Sequence, residues 1–311
     1  MKNKPTLTIG IPAYNEENNI KYLLNTILIQ NESNYYLKKI IVVSDLSTDN
    51  TDSLVKSVKD KRIQLIRNRV RRGQNFSQNH IFKIADSDIV VLLEADSCPK
   101  YNNYISNLIS PILNNAGCLY VQGKCEPLEP STKFEHLLYL KDNIFLKVAE
   151  KKFFDEKLFI SGLGGRAFAK KLYKKIRWPQ NVPDDLYCFY WCKVYDIKTL
   201  VEKSAVCNFR LPQTINDHLL KINKAIAGAK VVDKHFPIQK YNYNYKISRS
   251  IIIKFVFTLI LSYPLLFPFI VMLKFIEKIF ISNIIFSNFL QSANSTKTLF
   301  NNIEVNNKYE K

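Results

Sequence analysis

Acidic residues are scarce in this chain relative to basic ones: 27 Asp and Glu stand against 45 Lys and Arg, a formal charge of +18 over 311 residues. Such an imbalance implies a polyanionic neighbourhood: nucleic acid, anionic lipid or a phosphorylated substrate. No two of the six cysteines, Cys98, Cys118, Cys125, Cys188, Cys192 and Cys207, form a C-x-x-C pair, and no paired histidines accompany Cys188 and Cys192. A zinc module and a disulfide framework are therefore not expected, and a reducing compartment is. The four histidines have no metal-ligand spacing and are assigned no chemistry. None of the usual nucleic-acid-binding motifs is present, so nucleic acid is not an expected partner. Only Lys2 and Lys4 precede the first apolar strand and no signal-type apolar region follows, so the N-terminal domain is expected to stay cytosolic. A hydrophobic share of 47% argues against disorder, and 23% charged residues argue against a wholly membrane-embedded protein.

What is present is a repeated alternation of short apolar runs and helical patterns. Leu7–Ile11, Ile40–Val43, Ile63–Ile66 and Ile89–Leu93 read as strands. Between them, Ile20, Leu23, Leu24, Ile27 and Leu28, then Leu54, Val55 and Val58, then Phe76, His80, Ile81 and Ile84 recur at helical spacing. Such an order predicts a doubly wound α/β domain with ligand loops at one sheet edge. Ile89–Leu93 has no alternation, as befits a strand covered on both faces, and it stops at Glu94 and Asp96. Acids at i and i+2 of an extended segment would face the same way, toward one metal–phosphate group.

The loops that close these strands are Pro12-Ala13-Tyr14-Asn15-Glu16, Ser44-Asp45 with Ser47-Thr48-Asp49-Asn50-Thr51, Arg72-Gly73 with Asn79, and Glu94-Ala95-Asp96. Further on come Gly162-Leu163-Gly164-Gly165-Arg166-Ala167 and Pro183-Asp184-Asp185. In order and spacing, over roughly residues 5–230, this set resembles the family-2 glycosyltransferases of GT-A fold. The resemblance implies a nucleotide-sugar donor and a divalent cation, Mg2+ or Mn2+. It gives Asp45 the nucleobase, while Pro12, Ala13, Tyr14, Asn15 and Glu16, with Arg72, Asn79, Glu94 and Ala95, belong to the donor site. Asn15 and Glu16 can also act as helix caps. Asp96 is the leading metal ligand, and Glu94 binds either the metal or the ribose. By the same analogy Asp185 is the general base of inverting transfer and Asp184 supports it. Gly162, Gly164, Gly165 and Arg166 form an acceptor-lining or phosphate loop, glycine allowing close backbone approach.

Three departures from the family pattern bear on function. Glu94 replaces the usual first Asp of an Asp-x-Asp pair, and Gln74 replaces a lysine near the diphosphate, a charge that Arg71 or Arg72 can supply. The Gln-x-x-Arg-Trp signature of processive synthases has only His218–Ile222 as its nearest counterpart, which keeps the cation Lys221. Processive synthesis is therefore not expected, and Lys221 and Lys224 are expected diphosphate contacts.

Seven cations from Lys221 to Arg249 face the single acid Asp233, and Tyr241, Tyr243 and Tyr245 lie among them. Phe255–Leu273 then runs uncharged; at about 1.5 Å per residue it would reach about 28 Å, near the ~30 Å of a hydrocarbon core. Basic and tyrosine-rich flanks fit the positive-inside rule. A second stretch, Ile279–Leu290, is short for a span and suits the interface or a hairpin. The expected layout is a transferase domain over 1–230 (donor half to about 98, acceptor and catalytic half after it). A basic juxtamembrane linker follows over 231–250, then transmembrane or interfacial helices over 251–290 and a mobile polar tail over 291–311.

The expectation for the whole is an α/β, GT-A-type, mostly parallel sheet with flanking helices and a C-terminal membrane-associated helical segment. It would work on the cytoplasmic side of a membrane, with anionic lipids as partners, moving a sugar from a UDP- or GDP-sugar to a hydroxyl of a glycan or lipid-linked acceptor. The competing expectation is a catalytically degenerate nucleotide-sugar-binding or scaffold protein, which Glu94 and Gln74 would signal and which Asp96, Asp184 and Asp185 speak against.

Overall fold

The computed structural model describes residues 4–154, 164–236, 249–282 and 294–299. Its centre is an eight-stranded sheet: β1 (Thr6–Ala13), β2 (Tyr36–Ser44), β3 (Ile63–Arg67), β4 (Ile89–Leu92), β5 (Ser97–Pro99), β6 (Cys118–Pro127), β7 (Arg166–Ala169) and β8 (Lys198–Phe209), in the order β3-β2-β1-β4-β7-β6-β8-β5. β1 pairs in parallel with β2 and β4, β2 with β3, and β6 with β8. The antiparallel strand β7 is inserted between β4 and β6, and β5 runs antiparallel along β8. The expected α/β class with a mostly parallel sheet and flanking helices is the fold observed.

The apolar strands work because alternate residues serve opposite faces. In β4, Ile89 and Val91 join the core beneath helices α1 (Ile20–Leu28) and α4 (Tyr104–Asn114). Val90 and Leu92 join a second core shared with α3 (Gln74–Ile84), α6 (Lys170–Tyr173) and α7 (Asp184–Val194). Ile40 and Val42 of β2 divide from Ile41 and Val43 in the same way. Gly10 lets α3 settle on β1, since a Cβ there would lie 2.5 Å from the Ile81 side chain and 2.9 Å from that of Leu92. The short helix α2 (Thr51–Ser57) lies between β2 and β3.

Two long helices extend from this domain: α5 (Lys133–Phe154) and α8 (Ile215–His235). α8 passes without a break through the boundary expected at residue 230, and 237–248 of the basic linker lie outside the described residues.

The apolar stretch expected to cross a membrane is divided. One helix runs Arg249–Ser262 and a second Phe267–Ser282. Pro264 lacks an amide hydrogen and disfavours helical backbone at Tyr263, so the first helix ends there; Pro268 falls in the first turn of the next, where the missing donor is tolerated. At 14 and 16 residues, and about 1.5 Å per residue, neither reaches ~30 Å. No helix among the described residues is long and apolar enough to cross a membrane. The pair packs instead against the domain, Leu259 and Ile270 on Ile144 of α5, and Leu273 on Leu138 and Leu211. Its other side is apolar and exposed at Ile253, Phe257, Leu261, Leu265, Phe269 and Phe275, with Leu265 84% exposed. Most of the second stretch, 283–290, lies outside the described residues.

The expected mobile tail has one described part. Asn294–Lys297 forms a single turn of 3-10 helix that packs, through Thr296 and Leu299, onto the folded domain.

Candidate active site

Parallel strands β1, β2 and β4 deliver their loops to the same carboxyl edge of the sheet, the place where open α/β folds bind ligands. A cavity of about 370 Å³ opens there. One side is lined by Pro12, Ala13, Tyr14 and Glu16 after β1, by Asp45 after β2, and by Glu94, Ala95 and Asp96 after β4. Arg166 of β7, Asp184 and Asp185 at the start of α7, and Lys221 and Lys224 one turn apart on α8 line the rest. Residues that the sequence placed more than 200 positions apart thus share one space.

The β1 and β2 loops hold each other. Asn15, at φ 53°, accepts the Thr48 amide through Oδ1 at 2.8 Å, and the Glu16 amide donates to Thr51 Oγ1 at 2.7 Å. Asn15 fastens these loops and does not line the cavity. Leu46, φ 63°, takes the left-handed conformation directly after Asp45, an uncommon backbone state for a branched side chain. Asp45 accepts the Asn68 side-chain amide at 2.7 Å and the Arg72 and Gly73 backbone amides at 2.9 and 2.7 Å. It therefore sets the position of the Arg71–Gly73 loop besides facing the pocket. Arg71 lies over the Tyr14 ring at 3.6 Å and Arg72 over Phe76 at 4.6 Å.

Asn79 is not in the cavity. Its amide donates to the Trp178 carbonyl at 2.8 Å and accepts from the Trp178 amide at 3.1 Å, which ties α3 to the segment before α7. Asn75 does similar work, donating to the Pro179 and Val182 carbonyls.

Glu94 and Asp96 do not form the side-by-side pair expected of an extended segment. The chain turns after β4, with the Ser97 amide donating to the Glu94 carbonyl at 3.2 Å, and the two carboxylates take different surroundings. Glu94 receives the Gln74 amide at 2.9 and 2.8 Å and Arg166 Nη2 at 3.3 Å. Asp96 faces the charges of Lys221, Lys297 and Lys224.

Arg166 is buried between Glu94 and Asp184, ion-paired with both. Asp184 also accepts Gln78 Nε2 at 2.6 Å. Its guanidinium thus bridges two carboxylates while also lining the cavity. Gly164 and Gly165 stand behind it, out of the cavity. A Cβ on Gly164 would meet the Gly123 carbonyl at 2.5 Å, and Gly165 has φ +72°. These glycines serve close backbone packing of the segment before β7 against β6. Gly162 lies outside the described residues.

The acids press on one another. Burial, then repulsion from Asp184, outweighs the Arg166 guanidinium and pushes the Glu94 carboxyl up to about 8. Burial and the nearby Asp96 push Glu16 to about 8 against the pull of Lys297. Burial likewise raises Asp96, opposed by Lys221, Lys297 and Lys224. Asp184 behaves differently: burial pushes it up, but Arg166 and the Gln78 hydrogen bond more than reverse that and hold it below the usual carboxylate range. Asp185 accepts the Leu186 amide through Oδ1 at 2.7 Å and lines the cavity beside Asp184.

Crowded, partly neutralised carboxylates are what a bound cation would relieve. The donor set suits a hard divalent ion. No group of three or more His, Cys, Asp or Glu that could hold a metal occurs among the described residues, so the chain offers one or two carboxylates and leaves the other positions to phosphate and water. Asp96 is the better placed, because no side chain among the described residues donates to it, whereas Gln74 and Arg166 occupy Glu94.

Some cavity residues had no sequence signal of their own. Gln74, read as a missing lysine, holds Glu94. Thr296 and Lys297 come from residues far along the chain to line the cavity beside Tyr14 and Glu16.

Comparisons with known proteins bear on the family and the fold. The UDP-Glc:alpha-D-GlcNAc-diphosphoundecaprenol beta-1,3-glucosyltransferase WfgD of Escherichia coli is 27% identical over 114 residues, which is 37% of this chain and 44% of that one. A second E. coli enzyme of the same description, WfaP, is 32% identical over 90 residues, 29% of this chain and 35% of that one. The chain thus spans less than half the length of either relative. Among solved structures, the mannosyltransferase PcManGT from Pyrobaculum calidifontis, in complex with GDP-Man and Mn2+, superposes with a TM-score of 0.59 at 16% identity, over 90% of this chain and 84% of that one. Glucosyl-3-phosphoglycerate synthase from Mycobacterium tuberculosis, in complex with Mn2+, UDP and phosphoglyceric acid, gives 0.54 at 15% identity over 73% and 78%. At those identities the structures speak for the fold alone, and the fold is theirs. The family described as Glycosyl transferase family 2 matches residues 8–177, more than half of the chain and every donor loop from β1 to Asp96, and the chain belongs to that family.

Proposed function

We propose that this protein is a metal-dependent, inverting glycosyltransferase that takes a sugar from a UDP-sugar and passes it to a hydroxyl of a lipid-linked acceptor at a membrane surface. The observation that carries the reading is the convergence of Asp45, Asp96, Asp184 and Asp185 on one cavity at the carboxyl edge of the sheet. The two E. coli relatives, named for UDP-Glc and a diphosphoundecaprenol-linked acceptor, support the donor nucleotide and the acceptor class. The GDP-Man complex of the Pyrobaculum enzyme keeps GDP-sugars among the donors to be tested.

The chemistry divides between the two walls. Asp45 and the Tyr14 loop hold the nucleoside, and Lys221 and Lys224 face its diphosphate. A divalent ion, Mg2+ or Mn2+, held by Asp96 would supply charge stabilisation to the departing diphosphate. The acceptor oxygen forms a bond to the anomeric carbon from the face opposite the diphosphate. Asp185 takes the hydroxyl proton, and the carbon–oxygen bond to the diphosphate breaks, releasing the nucleoside diphosphate. Asp184, Arg166 and Glu94 position the start of α7 so that Asp185 meets the acceptor.

Attachment to the membrane is supported by the exposed apolar side of the helices Arg249–Ser262 and Phe267–Ser282, bordered by the exposed cations Lys254, Lys274 and Lys278. Helices too short to span, apolar on one side and basic at the rim, suit an in-plane position at the headgroup boundary of the cytoplasmic leaflet, against anionic lipid. A lipid-linked acceptor would be met there.

A panel of UDP- and GDP-sugars tests the reading, scored by thermal stabilisation and by metal-dependent hydrolysis. Stabilisation and hydrolysis with at least one donor are expected; a folded protein indifferent to all of them overturns it.

A further inference from the structure

The C-terminal segment Asn294–Leu299 is a strap across the cavity rim. On one side, Asn19 Nδ2 donates to the Lys297 carbonyl at 2.5 Å and the Leu299 amide donates to Asn19 Oδ1 at 3.0 Å. On the other, the Ser295 amide donates to Asp217 Oδ2 at 3.1 Å, the Gln213 amide to Ser295 Oγ at 3.1 Å, and Arg210 Nη2 to the Leu299 carbonyl at 2.5 Å. Leu299 is 1% exposed and Thr296 7%. Ordering the backbone of a polar segment costs conformational entropy, and these contacts are what offset it here. The strap joins the loop between β1 and α1 to the start of α8 across the cavity.

Lys297 points from the strap into the cavity. Its ammonium donates to the Tyr14 and Asn15 carbonyls at 2.5 and 3.1 Å, lies 3.4 Å from Glu16 Oε1, and sits over the Tyr14 ring at 5.1 Å. Its charge acts on Asp96 as well as on Glu16. The Gln74 amide is spent on Glu94. The guanidinium groups named as replacements lie over aromatic rings, Arg71 on Tyr14 and Arg72 on Phe76.

We propose that Lys297, carried by the strap Asn294–Leu299, is a donor-binding residue whose ammonium meets the diphosphate of the nucleotide sugar. The proposal rests on the glycosyltransferase reading and deepens it. The four-carbon stem lets a compact charge move from the loop carbonyls to a ligand without displacing the strap. The strap's contacts to Asn19, Gln213, Asp217 and Arg210 hold the stem at the rim while the ammonium changes partner.

Calorimetric titration of the full chain with UDP and UMP, and with GDP and GMP, separates a diphosphate contact from a mere tether. Lys297→Gln should weaken the nucleoside diphosphate by about tenfold, equivalent to about 1.4 kcal/mol, and the monophosphate by less than about threefold. Raising the ionic strength should shrink the difference, as expected for a charge–charge contact. Lys297→Arg should stay within about threefold of wild type for the diphosphate. Equal weakening of both nucleotides would make Lys297 a tether and overturn the proposal, as would an unchanged diphosphate affinity. A wild-type protein that binds neither UDP nor GDP would overturn the glycosyltransferase reading and this inference with it.

Discussion

Arg166 lies between Glu94 and Asp184, and through them it links the end of β4 to the start of α7. Acids from two separate elements are thus tied to a single buried guanidinium. Removing one partner from a buried charge network leaves the others uncompensated and typically costs about 3–5 kcal/mol. Arg166→Met should lower the unfolding free energy by an amount of that order in denaturant titration, and transfer should fall with it. A variant of wild-type stability would show that Glu94 and Asp184 do not depend on Arg166.

Glu94→Asp tests the same network from the other end. A carboxylate one methylene shorter cannot keep both the Gln74 amide and Arg166, and a buried donor left without its acceptor costs about 1–3 kcal/mol. Thermal melting should reveal that loss. Asp96→Asn should leave the melt close to wild type and abolish the stimulation of transfer by Mg2+ or Mn2+. Full transfer in excess chelator would contradict a metal held by Asp96.

Much of this site was legible in the sequence, for a physical reason. Runs of consecutive apolar residues such as Ile40–Val43 and Ile89–Leu93 suit strands buried on both faces, and the polar loops that follow them then fall at the carboxyl edge of the sheet. Asp45 and Glu94 follow two such runs, the family resemblance puts them in one site, and both line the cavity. The motif Asp184-Asp185 was visible as well. The antiparallel strand β7 was not, because Arg166–Ala169 is short and its pairing with β4 and β6 is fixed only by the sheet. Nor could spacing show that Arg166 faces two acids, that Asn79 holds Trp178, or that Glu94 and Asp96 part at a turn. The span expected over Phe255–Leu273 rested on a count of uncharged residues, and that count runs through Pro264, where the first helix has ended. The strap had no signal: Asn, Ser and Thr read as mobile until Asn19, Gln213 and Asp217 are found to bind it.

The Phe267–Ser282 helix is fastened to α8 by Glu277, which accepts from His218 Nε2 at 3.0 Å and Lys274 Nζ at 2.6 Å. Burial pushes the Glu277 carboxyl up, but the His218 and Lys274 contacts more than reverse this and bring it to about 2. A carboxylate whose folded value is depressed contributes stability that is whole above its unfolded value near 4.5 and is lost as pH falls toward 2. Wild type should therefore exceed Glu277→Gln in stability at pH 6, and the two curves should converge as pH falls through that window. Parallel curves would remove Glu277 from the fastening.

Vesicle binding checks the exposed side of the same helices. Phe257→Glu combined with Leu265→Glu should lose co-sedimentation with vesicles containing anionic phospholipid and should keep nucleotide affinity, because neither side chain approaches the cavity. Undiminished vesicle binding would place the membrane contact elsewhere.

The central claim is that one wall of the cavity binds the donor while Asp185 on the other takes the acceptor's proton. It is tested most directly by donor affinity and saturated transfer rate measured side by side for Asp185→Asn and Asp45→Ala. Asp185→Asn keeps the size of the side chain and removes its basicity. General-base contributions are typically about 10²–10⁴-fold, so transfer should fall by that order while donor affinity changes by less than about tenfold. Asp45→Ala should weaken the donor and leave saturated turnover closer to wild type. Transfer at the wild-type rate by Asp185→Asn would contradict the account and move the role of base to another residue.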